Sequence, residues 1–469
     1  MLKQSAIVVM FLLTLMSNDL LAQFAPTPQT SLPVSRRGAS QDQTSSILQR
    51  LETLEKQSLA GHKRDSGIDT SATQKWTGRI HLDHWAFIEG DSVTNEMETG
   101  NPLTGPADHI GFRRLRFGPK GTMGDHGIYK IEMDFANPGK IAFKDAYFGI
   151  NGLPVLNTLI LGQQKRPYGL STLASSRYNA LIERPLGVEA FNQDARRFGL
   201  QSYGVSQDKV YNWRYGAFMC EDAQNSGKIF ATTENGVYQA EFAGRFAKTF
   251  WYDEQSDGRN YGHWGISGSV ANTDPNASNN QAKFRTRPES RTSSHWLNTG
   301  RIVGADRYSL WGLEGVLNFG PLNIQSEYQA VQVHRLTDPS VVFQAGHIQA
   351  SYWLSGDHTP WSRDTGTIGR TLPFDPFTPD AQGDDPRGGA WQVAIRYSYA
   401  DFTDDDIFGG VGNSLSIGLN YWWSSRSRIK IDYMKGRISD SSVVAGDNTS
   451  GTPRNGSYGI LGVRYMVDF

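Results

Sequence analysis

The sequence predicts an all-β fold, a sixteen-stranded antiparallel transmembrane β-barrel preceded by a short N-terminal helical segment. Three observations lead to this prediction. The first residues have the order of a secretory signal peptide, apolar and polar side chains alternate along many segments after Trp76, and the last strand ends on Phe469. A terminal strand that ends in Phe is typical of bacterial outer-membrane barrels, so the bacterial outer membrane is the expected location.

Residues 1–22 are predicted to be a signal peptide. Lys3 precedes an apolar run, Ala6–Leu15, and Ala22 offers a small residue for cleavage. This run is too short to cross a bilayer comfortably, and no other run reaches about 18 apolar residues, which excludes a helical membrane protein. A barrel, expected over 75–469, remains possible because only every second residue of a membrane strand faces lipid.

Residues 23–74 are predicted to link the signal peptide to the barrel. Their first part is rich in Pro, Ser, Thr and Gln and should be disordered. Within about 43–59, Ile47, Leu51 and Leu54 recur at heptad spacing and predict a short helix. Because this helix is too short to be stable alone, it either has a local role or forms a coiled coil that joins protomers.

The composition excludes several classes of protein. The 46 basic and 47 acidic residues balance, so charge gives no sign of a nucleic-acid partner, and no residue pattern predicts a cofactor or a metal. Cys220 is the only cysteine, which rules out an internal disulfide and predicts a free buried thiol. The 50 Gly residues and the aromatic content of 12% suit many turns and aromatic girdles in contact with outer-membrane lipid.

Alternation of side chains marks the individual strands. Trp391, Val393 and Ile395 fall on one face of a strand, whereas Gln392 and Arg396 fall on the other. A soluble β-sandwich and a membrane barrel share this pattern. The signal peptide, the terminal Phe and the aromatic strand ends favour the barrel over a secreted soluble protein.

Sixteen candidate strands can be counted, an even number that places both chain ends on the periplasmic side. Their starts lie near residues 76, 109, 127, 141, 155, 195, 210, 237, 262, 309, 322, 342, 390, 412, 427 and 457. Most short connections then fall on the periplasmic side and most long ones outside, as in outer-membrane barrels. The connection 355–389 departs from this rule, so either the count slips there or that turn carries an insert. Sixteen strands leave a water-filled channel.

Basic side chains are the candidates for lining such a channel. Arg79 lies in the lumen phase of the first strand. On the second strand, Arg114 and Arg116 face the lumen if Leu115 faces lipid. Arg113 then faces lipid, unless it lies at the rim or a bulge turns it inward.

Two long connections also carry positive charge. The connection 165–194 opens with Lys165 and Arg166 and is long enough to fold inward and narrow the pore. The connection 275–308 has a local excess of four positive charges. Its candidate side chains are Arg285, Arg287 and Arg291. Guanidinium groups suit phosphate oxygens because they offer several donors in a fixed fork.

Six short motifs stand out along about 76–469. They are Thr77-Gly78-Arg79-Ile80, Phe112-Arg113-Arg114, Phe143-Lys144-Asp145-Ala146, Leu161-Gly162-Gln163, Leu181-Ile182-Glu183-Arg184 and Trp311-Gly312-Leu313-Glu314-Gly315. Together and in this order they resemble the phosphate-selective porin O and P family. The resemblance implies a homotrimeric, sixteen-stranded outer-membrane channel for phosphate or polyphosphate, in which an inward arginine ladder leads to a constriction.

The resemblance also implies roles for particular residues. Arg79 matches the first-strand arginine of the family, and Asp145 matches its fourth-strand aspartate. Arg113 and Arg114 match its second-strand arginine pair, which places Arg113 at the site against the alternation argument. The residues that resemble the ladder are Arg285, Arg287 and Arg291. An acidic residue beside the arginines would keep anion binding weak enough for release.

The sequence therefore predicts a passive channel for anions, with phosphate or polyphosphate as cargo. The alternative is a general diffusion porin whose arginines only set a field across the pore. An enzyme is not expected. His81 and Asp83 share one face of a strand while His84 lies on the other, which makes a poor catalytic triad.

Overall fold

The computed structural model describes residues 71–137, 139–192, 195–221, 232–377 and 388–469. The predicted signal peptide and heptad helix lie outside the described residues. Within the described part, sixteen antiparallel strands pair in chain order and close into a barrel. The predicted fold class and strand count are confirmed.

The barrel strands also begin close to their predicted positions. They are β1 (Lys75–Gly90), β2 (His109–Met123), β3 (Gly127–Asp134), β4 (Ala142–Leu153), β5 (Asn157–Lys165), β6 (Arg196–Val205), β7 (Tyr211–Met219), β8 (Ala240–Tyr252), β9 (Asn260–Asn272), β10 (Ala305–Phe319), β11 (Leu322–Arg335), β12 (Val341–Trp353), β13 (Ala390–Asp404), β14 (Ile407–Ser424), β15 (Ser427–Ser441) and β16 (Arg454–Asp468). The largest difference is at β14, which begins at Ile407 instead of near 412. Gly409 and Gly410 interrupt the alternation there and hide the first residues of the strand.

The first and last strands form the seam of the barrel. β1 pairs with β16, and the N–H of Gly78 donates to the carbonyl of Phe469 at 2.9 Å. The Phe469 ring lies over Gly78, where an added Cβ would come within 2.4 Å of a ring atom. A residue without a side chain therefore makes room for the terminal ring. Closing the seam matters because lipid offers no partner to an unpaired backbone group.

The strands bury polar side chains and expose apolar ones. On β13, Trp391 and Ile395 are 40% and 46% exposed, whereas Gln392 and Arg396 are each 3% exposed. A soluble β-sandwich would show the reverse, since its apolar face is the buried one. The observed pattern is that of a membrane barrel, whose apolar face meets lipid and whose polar face lines the lumen.

Aromatic side chains form a girdle at the end of the barrel that carries the short turns. The rings of Trp391 and Tyr421 lie 4.5 Å apart, and those of Trp423 and Tyr465 lie 5.4 Å apart. These residues lie where β13 begins and where β14 and β16 end. Trp and Tyr prefer the boundary between lipid and water, so the girdle marks one membrane interface.

The helices of the described residues are short and lie in the connections. They are α1 (Ser92–Thr99), α2 (Leu170–Leu173) and α3 (Leu186–Asn192), with 3₁₀ turns at Glu254–Ser256 and Ala445–Asp447. α1 begins at a capping box, in which the Asp91 carboxylate accepts from the N–H of Thr94 at 3.0 Å. No helix of the described chain is long and apolar enough to cross a membrane.

Two connections at the long-loop end fold into the barrel. The inner loop, residues 166–192 between β5 and β6, contains α2 and α3. The outer loop, residues 273–304 between β9 and β10, contains a hairpin of Lys283–Thr286 with Leu297–Arg301. The tip of α3 and this hairpin pack together above the lumen, where Leu186 N–H donates to the Glu289 carboxylate at 3.2 Å.

A third segment enters from the short-turn end. The turn insert, residues 354–377 after β12, contains a small hairpin of Trp361–Ser362 with Thr367–Ile368. The indole N–H of Trp361 donates to the Thr249 hydroxyl on the barrel wall at 3.0 Å. The long connection that broke the predicted rule is therefore an insert, and the strand count does not slip.

Replacing Gly78 with Ala should destabilise the barrel by about 1–3 kcal/mol, because the added methyl group displaces the Phe469 ring from the seam. Gly111→Ala on the neighbouring strand is the matched control, since its Cβ would meet no atom within 4 Å. Urea unfolding of both variants in lipid vesicles, followed by tryptophan fluorescence, measures the difference. Equal unfolding midpoints would contradict this account of the seam.

Candidate functional site

The inner loop crosses the lumen and is bonded to the far wall of the barrel. Asn420 Nδ2 on β14 donates to the Ala180 carbonyl at 2.7 Å. Nearer its start, the N–H of Ser171 donates to the Glu327 carboxylate on β11 at 2.9 Å. The loop is therefore fixed across the pore, as the length of the connection predicted.

Arg464 is the central anchor of the inner loop. Its guanidinium, on β16, donates to both oxygens of the Asp83 carboxylate on β1 at 2.6 Å each. The same group also donates to the Ile182 carbonyl and the Glu183 carboxylate of the loop. Arg464 is only 1% exposed. One buried cation thus joins the seam of the barrel to the loop that narrows it.

A cavity of about 710 Å³ lies between the inner loop, the wall from β1 to β7 and the turn insert. Thirteen basic side chains line it, against four acidic ones. The basic residues are Arg79, Arg113, Arg114, Arg116, Lys120, Lys130, Lys144, Lys165, Arg177, Arg184, Arg196, Arg214 and Arg370. The acidic residues are Asp134, Asp145, Glu183 and Glu189. A cleft in which positive charges outnumber negative ones has a positive potential, which attracts anions.

Arg113 and Arg114 both face this cavity although they are neighbours on one strand. The Cα partner of Arg114 is His81 and that of Phe112 is Leu82, so Arg113 has no partner in the register. A β-bulge of this kind turns the extra residue and breaks the alternation. This bulge is the exception that the alternation argument left open for Arg113.

Glu183 belongs to one of the six sequence motifs, but it was not among the predicted site residues. Its two oxygens accept from Arg113 Nε at 2.8 Å and Nη2 at 3.1 Å, a two-pronged ion pair. Burial raises the pKa of the Glu183 carboxyl, but the charges of Arg113, Arg464 and Arg114 outweigh burial and hold that pKa well below its usual range. Glu183 therefore stays ionised and occupies the arginine pair.

A network of ion pairs covers the wall below Arg113. Arg79 and Arg116 are paired across β1 and β2, and the like charges are bridged by Glu132, at 2.8 Å from Arg79 and 3.3 Å from Arg116. Asp145 binds Arg196 at 2.6 Å and also binds Lys130. Asp145, the predicted acidic residue, thus lines the same cavity, but within the described chain its ion pairs are with these two cations and not with the Arg113–Arg114 pair.

Lys165 and Arg166 point to different surroundings. The Lys165 ammonium lines the cavity and donates to the carbonyls of Leu173 and Ala174 at 2.8 and 3.0 Å. Arg166 is buried between the inner loop and the wall, where it donates to the Asn192 carbonyl at 2.5 Å and binds the Glu241 carboxylate on β8 at 3.0 Å. Both side chains thus bind the inner loop, but of the predicted pair Lys165 lines the cavity and Arg166 does not.

The arginines of the outer loop lie above the cavity and hold the loops together. Arg285 binds Asp447 at 2.6 Å, and Arg287 donates to the His295 ring at 2.8 Å. Arg291 differs from these two residues. The positive charge of Arg113, and to a smaller extent burial, lower the pKa of Arg291 to about 10. Of the three predicted ladder residues, Arg291 is therefore the one whose pKa is lowered by the charge of Arg113.

Replacing Arg464 with Met should free the inner loop and raise the chloride conductance. It should also destabilise the barrel by about 3–5 kcal/mol, because Asp83 is left as a buried unpaired charge. The double variant Arg464→Met/Asp83→Leu removes that charge, so it should regain stability while keeping the raised conductance. Single-channel recording and urea unfolding test both parts, and a wild-type conductance in either variant would show that Arg464 does not hold the loop.

Known proteins resemble this chain in sequence and in fold. The family model described as phosphate-selective porin O and P matches residues 91–469. Porin O of Pseudomonas aeruginosa is 23% identical over 412 residues, which cover 80% of this chain and 86% of that protein. An uncharacterised protein of Caulobacter vibrioides is 23% identical over 327 residues, which cover 68% of this chain and 61% of that protein. An anion-selective porin from Comamonas acidovorans has a similar fold, with a TM-score of 0.51 at 12% identity, covering 84% of this chain and 100% of the porin.

Proposed function

Because the chain belongs to the phosphate-selective porin O and P family and forms a sixteen-stranded barrel of the bacterial outer membrane, it is a porin, and we propose that it conducts phosphate or polyphosphate. The charge of the cavity carries this proposal. Thirteen basic side chains line it against four acidic ones, in a chain whose formal net charge is −1. Positive charge is thus concentrated where solutes pass, which favours anions over cations.

The arginine pair is the proposed constriction site. Arg113 and Arg114 lie on the wall that faces the fixed inner loop, and the Arg113 fork already holds the two oxygens of Glu183. A phosphate group offers oxygens at similar spacing, and guanidinium binds phosphate in the same two-pronged way. Arg79, Arg116, Lys165 and Asp145 complete the proposed lining in the wall around the pair.

Glu183 lowers the affinity of the arginine pair for an anion, which conduction requires. A pore that binds its anion too tightly does not release it. Because Glu183 competes for the donors of Arg113, an arriving phosphate must displace a carboxylate, which makes its binding weaker. From the sequence, an acidic residue beside the arginines was expected to keep anion binding weak enough for release, and we propose that Glu183 has this role.

The alternative proposal is a general diffusion porin in which the arginines only set a transverse field. It is favoured by the pairing of Arg79, Arg116 and Arg196 with carboxylates of the wall, which leaves less charge for solutes. The two proposals differ in whether phosphate binds at a saturable site.

Arg114→Ala should weaken the block of chloride current by phosphate about tenfold or more, since a charged hydrogen bond to the anion is lost. The measurement is single-channel current in a planar bilayer, in chloride, with phosphate titrated in. Arg426→Ala is the matched control, because Arg426 lies in an exposed turn outside the cavity. A wild-type current that phosphate does not reduce would leave the general diffusion porin as the function.

Glu183→Gln should have the opposite effect and lower the phosphate concentration that gives half block by about tenfold. The amide is neutral, so it competes less for the Arg113 donors while keeping the size of the side chain. The same recordings should show slower recovery from each blocking event. Weaker block in this variant would mean that Glu183 positions the arginines and does not compete with the anion.

The remaining sequence predictions enter as proposals of the same kind. We propose that residues 1–22 are removed as a signal peptide and that the porin is a homotrimer, as the family resemblance implies. We also propose that 43–59 form a heptad helix in the linker. N-terminal sequencing of the purified porin tests the first, and light scattering in detergent, with and without 43–59, tests the others.

A further inference from the structure

A second group of polar side chains lines the same cavity, away from the Arg113–Arg114 pair. Arg214 on β7 and Tyr203 on β6 are Cα partners across the two strands. The Arg214 guanidinium lies 4.8 Å from the centre of the Tyr203 ring. Tyr147 on β4 lines the cavity with them.

The Arg214 guanidinium and the hydroxyls of Tyr203 and Tyr147 have N–H and O–H donors that could bind a solute. Among the described residues, none accepts a hydrogen bond from Arg214 or from the hydroxyls of Tyr203 and Tyr147. The Tyr203 ring covers a face of the guanidinium, so the N–H groups at its edge remain free. Arg245, the neighbour of Arg214 on β8, shows the contrast, because Glu314 holds it at 2.9 Å.

The group lies at the other end of the cavity from the arginine pair. Tyr203 is two residues before β6 ends at Val205, next to a short turn, whereas Arg113 is near the long-loop end of β2. The turn insert covers this end, and its Gly366 carbonyl accepts from Arg245 at 2.9 Å. Since short turns are periplasmic in outer-membrane barrels, a solute entering from outside meets Arg113 first and Arg214 later.

We propose that Arg214, Tyr203 and Tyr147 form a second binding site for a phosphate group, at the periplasmic end of the pore. A positive charge and two hydroxyl donors without an ionised partner suit a tetrahedral oxyanion. The group is either a free orthophosphate or one unit of a polyphosphate chain. This inference rests on the proposed function, and it explains how the anion leaves the first site, because two weak sites in series let one ion replace another.

The test is the block of chloride current in Arg214→Gln, with orthophosphate and with tripolyphosphate as separate probes. Half block by orthophosphate should need about tenfold more anion if single ions bind there. If the site holds only a unit of a longer chain, tripolyphosphate alone should block less well. Arg426→Gln removes the same charge from the short-turn end outside the cavity and should behave as wild type.

Crystals soaked in arsenate, an anomalously scattering analogue of phosphate, locate the anions directly. Two peaks are expected in the wild type, one at Arg113 and Arg114 and one at Arg214, and Arg214→Gln should lose only the second. The double variant Tyr147→Phe/Tyr203→Phe keeps both rings and should weaken the second peak, which serves if Arg214→Gln does not fold.

The outcomes separate this inference from the proposed function. If phosphate blocks the wild type and Arg214→Gln responds to both probes as Arg426→Gln does, the second site is wrong and the proposed function stands. If neither probe blocks the wild type, both are wrong.

Discussion

The buried guanidinium of Arg464 is the interaction on which the pore depends. A barrel of sixteen strands is too wide for its own side chains to fill, so a segment of chain must cross it to make a constriction. That segment brings backbone carbonyls and a carboxylate into the lumen, and they need fixed partners. Arg464 is such a partner for the Ile182 carbonyl and the Glu183 carboxylate, and it also neutralises Asp83 across the seam. One side chain therefore stabilises both the closed barrel and the loop that narrows the pore.

The charges of the lumen fall into two groups with different uses. In the wall, Arg79, Arg116 and Arg196 are matched by Glu132, Asp134 and Asp145, and these ion pairs keep the polar interior ordered. Nearer the inner loop and the turn insert, basic side chains outnumber acidic ones, and this excess is what a passing anion meets. The ion pairs of the wall maintain the shape of the cavity, and the excess of basic side chains gives the cavity its positive charge.

The sequence was sufficient for the barrel but not for the site. Alternation along each strand is a local property, so strand number and most strand starts could be read from residues such as Trp391 and Gln392. The inward fold of the 165–194 connection followed from its length alone. The pairing of Glu183 with Arg113 joins positions 70 residues apart, and the bulge at Arg113 depends on its register with β1, so no local pattern contained them.

The seam has a consequence for synthesis. Because Phe469 and Gly78 exchange two backbone hydrogen bonds, the seam between β1 and β16 extends to Phe469. A chain that stops before β16 leaves the edges of β1 and β15 without their partner, and lipid cannot satisfy those groups. The last strand is therefore the one that closes the wall, and without it the two free strand edges cannot meet.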